Sequence, residues 1–195
     1  MKNYQTAAGR AGTTGRTTPK KAKADPQRSA HEGAVALPDA VSVAGVNSVA
    51  VIGVGLMGGS LGLAARERAG VAEVRGFSQT KATLDLALEL GAATRACGSL
   101  EEAASGADLV FVCTPVRLVA QHVKAALAAA PAHAVISDVG STKGPLMRAL
   151  SPDEQRRCVG GHPLCGSETA GVANARASLY EGGHLLRHPR RARGH

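Results

Sequence analysis

The sequence has 195 residues, of which 44% are hydrophobic and only 2% are aromatic. A chain of this length can form one domain of ordinary size, and its core must consist of Ala, Val, Leu and Ile side chains. The scarcity of aromatic rings argues against a protein that binds nucleic acid by stacking bases on such rings. The composition therefore favours helices packed on a sheet over a nucleic-acid binding surface.

The formal net charge of +8 is carried by the two ends of the chain. Residues 1–30 contain seven Lys and Arg and one Asp, and residues 187–195 contain four Arg and no acid. The 156 residues between them contain 12 basic and 14 acidic groups. Because charge runs of this kind are typical of solvated tails, we predict a disordered basic extension over residues 1–45 and no nucleic-acid partner.

The four cysteines form no CxxC pair and indicate no disulfide framework. Cys113 lies inside the apolar run DLVFVCT, where a small thiol is expected to be a core residue. No apolar run approaches the ~20 residues of a membrane span. The N-terminus also lacks the apolar stretch of a secretory signal. These observations predict a cytoplasmic protein with no membrane partner.

From residue 47 onward, short β-branched runs alternate with helical patterns. The predicted strands are 48–54, 72–78, 108–114 and 134–140. The predicted helices are 56–70, 81–93, 100–107, 115–130 and a short one around 143–150, followed by a turn at GGHP. Strands that alternate with helices form βαβ units with right-handed crossovers. The pattern therefore predicts an α/β fold in which a doubly wound, mostly parallel sheet carries helices on both faces.

The loop from Gly53 to Gly58 has the pattern GxGxxG, directly after a predicted strand and at the start of a predicted helix. In this setting Gly53 allows the tight turn, Gly55 lets the backbone approach a pyrophosphate, and Gly58 lets helix and strand pack closely. The first helical residues, Leu56 and Met57, offer free N–H groups and a partial positive charge to phosphates. The loop therefore predicts a Rossmann-like dinucleotide-binding domain.

The segment Phe77 to Lys81, FSQTK, lies where the NAD fingerprint has an acidic residue for the ribose hydroxyls. No carboxylate is present there. Ser78, Thr80 and Lys81 are instead suited to a 2′-phosphate, which favours NADP over NAD as the cofactor. In the alternative interpretation, Lys81 is an exposed helix-start residue and Ser78 alone binds the ribose.

Two further strand ends carry candidate cofactor and substrate ligands. Thr114 and Pro115 close one strand and are expected to face the nicotinamide half of the cofactor. Asp138 closes the next strand and is a further candidate for cofactor contact. The Ser141 hydroxyl is suited to a substrate oxygen or the nicotinamide amide, although helix capping also needs only a hydroxyl. Lys143 either binds an anion or lies in solvent.

The segment VGGHPLCGSETAGV places His162 between two glycines and Pro163. Imidazole exchanges a proton near neutral pH, which makes His162 the natural catalytic group. Pro163 restricts the histidine backbone to extended conformations. The preceding glycines, residues 160–161, let the chain pass close to a ligand. Glu168, six residues on, is a candidate for orienting the ring or ordering water.

Two other interpretations of His162 remain open at this point. One is a core histidine whose ring bonds to a backbone carbonyl. The other is a zinc site shared with Cys158 and Cys165, but such a site needs a fourth ligand, which the spacing does not supply. We therefore predict no metal.

The segments VAVIGVGLMGGSLG, DLVFVCTPV, ISDVGSTKG and VGGHPLCGSETAGV, in this order and spacing, resemble the prephenate/arogenate dehydrogenases of tyrosine biosynthesis. The resemblance covers residues 48–182. It implies binding of NAD or NADP, hydride transfer from the substrate ring to the nicotinamide, and loss of CO2. It also implies that His162 polarises or deprotonates the ring hydroxyl, that Ser141 bonds the same hydroxyl or the nicotinamide, and that Glu168 lies near the substrate entrance.

The resemblance implies that relatives continue with another strand and an all-helical domain, which supplies a homodimer interface and a substrate-binding arginine. Residues 183–195, GHLLRHPRRARGH, show neither strand alternation nor a helical stripe. We therefore expect an irregular basic tail after a dinucleotide-binding domain at 46–182, and a chain that binds dinucleotide but turns over substrate poorly. The alternatives are a β-hydroxyacid dehydrogenase, which also has a GLMG-type loop, and a non-catalytic dinucleotide-binding fragment.

Overall fold

The computed structural model of the protein describes residues 45–187. The predicted extension, apart from Gly45, and the last eight residues of the predicted tail lie outside the described residues. The strands are β1 Ser48–Ile52, β2 Glu73–Phe77, β3 Arg95–Ala96, β4 Leu109–Val112, β5 Val135–Asp138, β6 Cys158–Leu164 and β7 His184–Arg187. The α-helices are α1 Leu56–Glu67, α2 Lys81–Glu89, α3 Leu100–Ala104, α4 Val116–Ala129, α5 Gly144–Ala149 and α6 Pro152–Arg157.

The strands form one seven-stranded sheet in the order β3-β2-β1-β4-β5-β6-β7. All neighbours pair in parallel except β6 and β7, which are antiparallel. The strand order reverses direction between β1 and β4, which is the doubly wound arrangement. The predicted α/β fold class is confirmed. Within residues 45–187, none of the helices is long and apolar enough to cross a membrane.

Helices cover both faces of the sheet, and β1 shows how the faces divide. Its residues Ala50 and Ile52 join a buried cluster with side chains of α3, α4 and α5. Its residues Val49 and Val51 join a second cluster with side chains of α1 and α2. All four are at most 2% exposed, so β1 is the centre of the core. A strand buried on both faces has no polar alternation, which agrees with its uniformly apolar sequence.

The GGHP segment is not the predicted turn, because it lies within strand β6. Gly160 pairs with Asp138 of β5, and His162 pairs with Leu186 of β7. A Cβ atom on Gly161 would lie 2.9 Å from the Asp138 carbonyl oxygen, so only glycine fits at this position. Gly161, one of the two glycines that predicted a turn, is therefore required by close packing between neighbouring strands.

The prediction of an irregular segment from residue 183 is wrong for residues 184–187, which form β7. This strand pairs with β6 from Gly161 to Leu164. Its four residues are all exposed, so it lacks the buried face that produces a hydrophobic alternation. Pairing is possible because an edge strand needs only backbone hydrogen bonds to its neighbour. The sheet therefore extends beyond the predicted domain boundary at residue 182.

Helix α6 was also not predicted, although its start signal is present in the sequence. The Ser151 hydroxyl accepts a hydrogen bond from the Glu154 amide, and the Glu154 carboxylate accepts one from the Ser151 amide. This pair is a capping box, S-x-x-E, with proline at the first helical position. The helix leads directly into β6 and thereby sets where the GGHP strand begins.

Candidate functional site

The carboxyl ends of β1, β2, β4 and β5 lie level with one another along one edge of the sheet, and Gly160 of β6 lies level with them. The register pairs Phe77 with Ile52, Ile52 with Val112, Val112 with Asp138, and Asp138 with Gly160. Strands are about 4.8 Å apart, so β6 lies three strands or roughly 14 Å from β1. Asp138 lies in this row, and the other predicted site residues, except Glu168, follow a member of the row by one to six positions. The topology therefore places these residues at one edge of the sheet.

The glycine loop follows β1 and combines a tight turn at Gly53, close packing at Gly58 and open space beside Gly55, as expected of a loop that binds phosphates. Gly53 has φ +95°, and a Cβ there would lie 2.9 Å from the Thr114 methyl carbon. A Cβ on Gly58 would lie 2.2 Å from the Gly53 carbonyl oxygen. A Cβ on Gly55 would contact no atom of the described residues within 4 Å, so the fold itself does not require glycine there. The space beside Gly55 is therefore open for a ligand.

Helix α1 begins at Leu56, with Gly55 as its N-cap residue. Glycine provides no side chain to cap the helix, and the first turn contains no acidic residue. The first N–H groups of a helix lack partners within the helix and carry partial positive charge. Leu56, Met57 and the buried Gly58 therefore fit the pyrophosphate of a dinucleotide on the grounds of charge and donor type.

The end of β2 positions the predicted ribose ligands. Ser78 is half-buried, and Thr80 and Lys81 are exposed. Thr80 is the N-cap residue of α2 but makes no side-chain capping bond. The Lys81 ammonium lies 2.7 Å from the Asp85 carboxylate one turn along α2. Lys81 is therefore an exposed, ion-paired helix-start residue.

The end of β4 brings together Thr114 and His122, and the sequence analysis did not single out His122. The Thr114 hydroxyl and the His122 Nδ1 atom are 3.1 Å apart. Burial lowers the pKa of His122 below its usual value, which favours the neutral ring. Pro115 is exposed and serves as the N-cap residue of α4. Since the Thr114 methyl group packs against Gly53, this pair supports the wall of the glycine loop.

Asp138 is a buried anion rather than an exposed ligand. Its side chain is 0% exposed and forms a salt bridge with Lys143. Its Oδ2 atom also accepts a hydrogen bond of 2.9 Å from the Gly140 amide, and its Oδ1 atom accepts one of 3.3 Å from the Gly161 amide. These partners argue against the predicted contact between this carboxylate and a cofactor. They also show that Lys143 neither lies in solvent nor awaits an external anion.

Ser141 follows β5, and His162 lies within the neighbouring strand β6, beyond the level of the row. Ser141 is exposed and precedes α5, whose N-cap residue is Lys143, so capping does not account for the hydroxyl. His162 is half-buried, two residues beyond the partner of Asp138. Glu168 is exposed in the segment that leaves β6. The topology thus brings Ser141 and His162 to one edge of the sheet on the adjacent strands β5 and β6, while Glu168 lies on a connecting segment.

Residues 165–183, which we call the return segment, lead from β6 back onto helix α1. The Tyr180 hydroxyl donates a 2.8 Å hydrogen bond to the Met57 carbonyl, and the Ser60 hydroxyl accepts one of 3.0 Å from the Arg176 amide. Burial raises the pKa of Tyr180 far above its usual value, so the hydroxyl stays a donor. No local pattern in the sequence predicts these contacts. The return segment therefore connects the Glu168 region to the helix that begins at the glycine loop.

The cysteines near Asp138 predict a pH dependence of stability. Burial, followed by the charge of Asp138, raises the pKa of Cys158 to about 11 and that of Cys113 to about 12. The unfolded thiols ionise near pH 9.0, so the unfolded state loses protons first and stability falls as pH rises from 9 towards 11. Between about pH 8 and pH 10.5, Cys158→Ala is expected to lose roughly 2 kcal/mol less unfolding free energy than wild type.

Urea unfolding at the two pH values measures this difference. Cys165→Ala is the matched control, because Cys165 is only partly buried and its pKa is less strongly raised. The control is expected to follow the wild-type pH dependence more closely. Equal losses of unfolding free energy in wild type and Cys158→Ala would contradict the buried, neutral state of this thiol.

All four cysteines lie within residues 45–187 and carry free thiols. In that part of the chain, no group of three or more His, Cys, Asp and Glu side chains is arranged to hold a metal ion. The candidate ligands at the carboxyl edge are instead backbone amides, hydroxyls, one imidazole and the Lys81 ammonium. Such a set suits an anionic, hydrogen-bonding ligand such as a dinucleotide.

The fold and the glycine loop define a nucleotide-binding domain of the Rossmann type. Residues 61–193 match the family described as the prephenate dehydrogenase nucleotide-binding domain. Since this match covers more than half of the chain, the protein belongs to that family. The resemblance stated from the sequence motifs is confirmed.

Individual relatives agree with this family. The chain is 28% identical over 134 residues to the cyclohexadienyl dehydrogenase of Zymomonas mobilis, covering 68% of this chain and 46% of that protein. It is 28% identical over 146 residues to the prephenate dehydrogenase of Bacillus subtilis, covering 73% of this chain and 39% of that protein. The prephenate dehydrogenase of A. aeolicus, solved with hydroxyphenyl propionate and NAD+, has a TM-score of 0.68 and 30% identity, covering 74% of this chain and 51% of that one.

The chain thus spans about half the length, or less, of the relatives it matches. Their names do not favour the β-hydroxyacid dehydrogenase alternative. The family match at residues 61–193 begins after the glycine loop and includes the GGHP strand.

Proposed function

We propose that this chain binds NAD(P) at the glycine loop and catalyses the oxidative decarboxylation of prephenate or arogenate. The observation that carries the proposal is the level row at one edge of the sheet: the glycine loop follows the row in β1, and His162 lies two residues beyond the row in β6. In doubly wound sheets, ligands bind at this edge, where the strand order reverses. Family membership supports the substrate class.

His162 is proposed to act on the ring hydroxyl of the substrate. A neutral imidazole accepts the hydroxyl proton as the ring carbon is oxidised, which is work suited to a group that titrates near neutrality. The bound dinucleotide supplies the hydride acceptor. Ser141, which follows the adjacent strand β5, orients the same hydroxyl or the carboxamide of the cofactor. Glu168 is proposed to lie at the substrate entrance.

The test combines the purified chain with prephenate or arogenate and with NAD or NADP, and follows the absorbance of the reduced cofactor. Turnover with one of these four pairs supports the proposal and identifies the substrate and the cofactor. Dinucleotide binding without turnover by any pair would contradict the catalytic part of the proposal and leave a nucleotide-binding module.

We further propose that NADP is preferred over NAD. The support is the end of β2, where Ser78, Thr80 and Lys81 provide hydroxyls and a cation and where no acid follows Phe77 directly. Asp85 pairs with Lys81 and partly offsets its charge. The A. aeolicus relative was solved with NAD+, so both dinucleotides have to be compared.

Replacing Lys81 by alanine is expected to weaken NADP binding and to leave NAD binding unchanged, because only NADP carries the 2′-phosphate. A lost charge-assisted hydrogen bond corresponds to about a tenfold rise in Kd. Fluorescence titration with each reduced cofactor measures the effect. Lys124→Ala is the control, since this exposed lysine lies on α4, away from the end of β2. Equal affinity of Lys81→Ala and wild type for NADP would contradict the assignment.

A further inference from the structure

The carboxylate of Asp138 joins the two elements that carry the proposed catalytic groups. One oxygen accepts hydrogen bonds from the Gly140 amide and the Lys143 ammonium, which lie on the loop that holds Ser141. The other oxygen accepts from the Gly161 amide, next to His162 in β6. Lys143 also donates a 2.7 Å hydrogen bond to the Gly140 carbonyl, which links the two ends of the segment that contains Ser141.

Burial of the Asp138–Lys143 ion pair restricts its geometry and carries a cost in desolvation free energy. The Asp138 side chain is 0% exposed and that of Lys143 is 11% exposed. Removing two charges from water carries a large desolvation cost, and the ion pair commonly adds little net stability in return. A buried pair that is fully hydrogen-bonded nevertheless holds its partners in a single geometry. Stability alone therefore gives weak reason for an ion pair at this position.

A second carboxylate in the same sheet provides a comparison. Asp108 accepts hydrogen bonds from the Asn47 and Ser48 amides and lies 3.0 Å from His133. It forms the same kind of connection between two segments, but it precedes β4 and so lies at the amino edge. Asp108 therefore separates the structural effect of such a connection from an effect on the site.

We propose that Asp138 is a positioning residue that holds Ser141 and His162 in register for the substrate hydroxyl. This inference rests on the proposed function, because it is that reaction which needs both groups at one atom. The hydrogen bond from the Gly161 amide to Asp138 fixes the backbone just before His162. The hydrogen bonds from the Gly140 amide and from Lys143 to Asp138 fix the backbone on both sides of Ser141. A displacement of about 1 Å between reacting groups lowers rates on the order of 100-fold.

The experiment compares Asp138→Asn, the double variant Asp138→Asn/Lys143→Met, and Asp108→Asn with wild type. The readouts are kcat, substrate KM, dinucleotide Kd, the thermal midpoint, and the backbone amide NMR shifts of Ser141 and His162. Asp138→Asn is expected to lower kcat by roughly 10- to 100-fold with little change in dinucleotide Kd. It should shift both amides, whereas Asp108→Asn should lower the thermal midpoint without changing kcat or these shifts.

The double variant keeps the test decisive if Asp138→Asn folds poorly. It removes the ammonium that would be left buried without an anion, so the thermal midpoint should recover while kcat stays low. Recovery of kcat together with the midpoint would overturn the proposal, as would an equal loss of kcat in Asp108→Asn. If wild type shows no turnover, the proposed function fails, and the amide shifts still decide whether Asp138 positions the two residues.

Discussion

Replacing His162 by asparagine is expected to lower turnover by about 10²- to 10⁴-fold and to leave dinucleotide affinity unchanged. Asparagine fits the half-buried position in β6 and keeps a polar side chain, but it does not accept a proton near neutral pH. The glycine loop lies three strands away, so the phosphates of the cofactor should not sense the substitution. Steady-state kinetics and a fluorescence titration of reduced cofactor measure the two quantities separately.

His133→Asn is the matched control for this substitution. His133 is an exposed histidine that pairs with Asp108 at the amino edge of the sheet. Its replacement should leave both turnover and dinucleotide affinity at wild-type values. Wild-type turnover by His162→Asn would instead assign the ring to a structural role, such as the core histidine that the sequence left open.

Alanine at Gly62 is expected to lower the unfolding free energy, whereas alanine at Gly55 is expected to weaken dinucleotide binding without changing stability. A Cβ on Gly62, in α1, would lie 1.9 Å from the Ala92 carbonyl oxygen and 3.0 Å from its carbon. These are backbone atoms that pack beneath the helix and have little freedom to move. Alanine stabilises a helix interior by about 1 kcal/mol relative to glycine. Overpacking costs roughly 1–3 kcal/mol or more, so Gly62→Ala should lower the unfolding free energy.

Gly55→Ala should unfold like wild type, because a Cβ there contacts no atom of residues 45–187 within 4 Å. The methyl group would instead occupy the space beside the first turn of α1, where the pyrophosphate is proposed to bind. We expect dinucleotide Kd to rise at least tenfold, which corresponds to about 1.4 kcal/mol. Chemical denaturation and cofactor titration of both variants test the pair. Unchanged affinity in Gly55→Ala would contradict dinucleotide binding at this loop.

These predictions differ in how much of their basis was visible in the sequence. The roles of Gly53 and Gly58 follow from GxGxxG between a strand and a helix, and the structure gives both residues the close contacts that the pattern indicates. The clash at Gly62 has no such signal, because Ala92 lies thirty residues further along the chain. A motif describes a local turn, whereas the surroundings of a helix depend on which segments fold against it.

The nature of the GGHP segment shows the same division. Glycine and proline are local signals for a turn, and they predicted one around His162. The structure has a strand there because β5 and β7 supply backbone partners on both sides. The role of Asp138 changed for a similar reason. Its position at a strand end predicted a contact with the cofactor, but Lys143 and the Gly161 amide enclose its carboxylate.

The sequence by itself determined the alternation of strands and helices, the fold class, the glycine loop and the family. These properties depend on short-range periodicity and on residue types at fixed spacing, and both are visible within short stretches of the sequence. Only the tertiary structure decided the strand at His162, the pairing of β7, the enclosure of Asp138 and the bond from Tyr180 to Met57. Each of these depends on contacts between segments distant in sequence, and such contacts exist only after the sheet has brought those segments together.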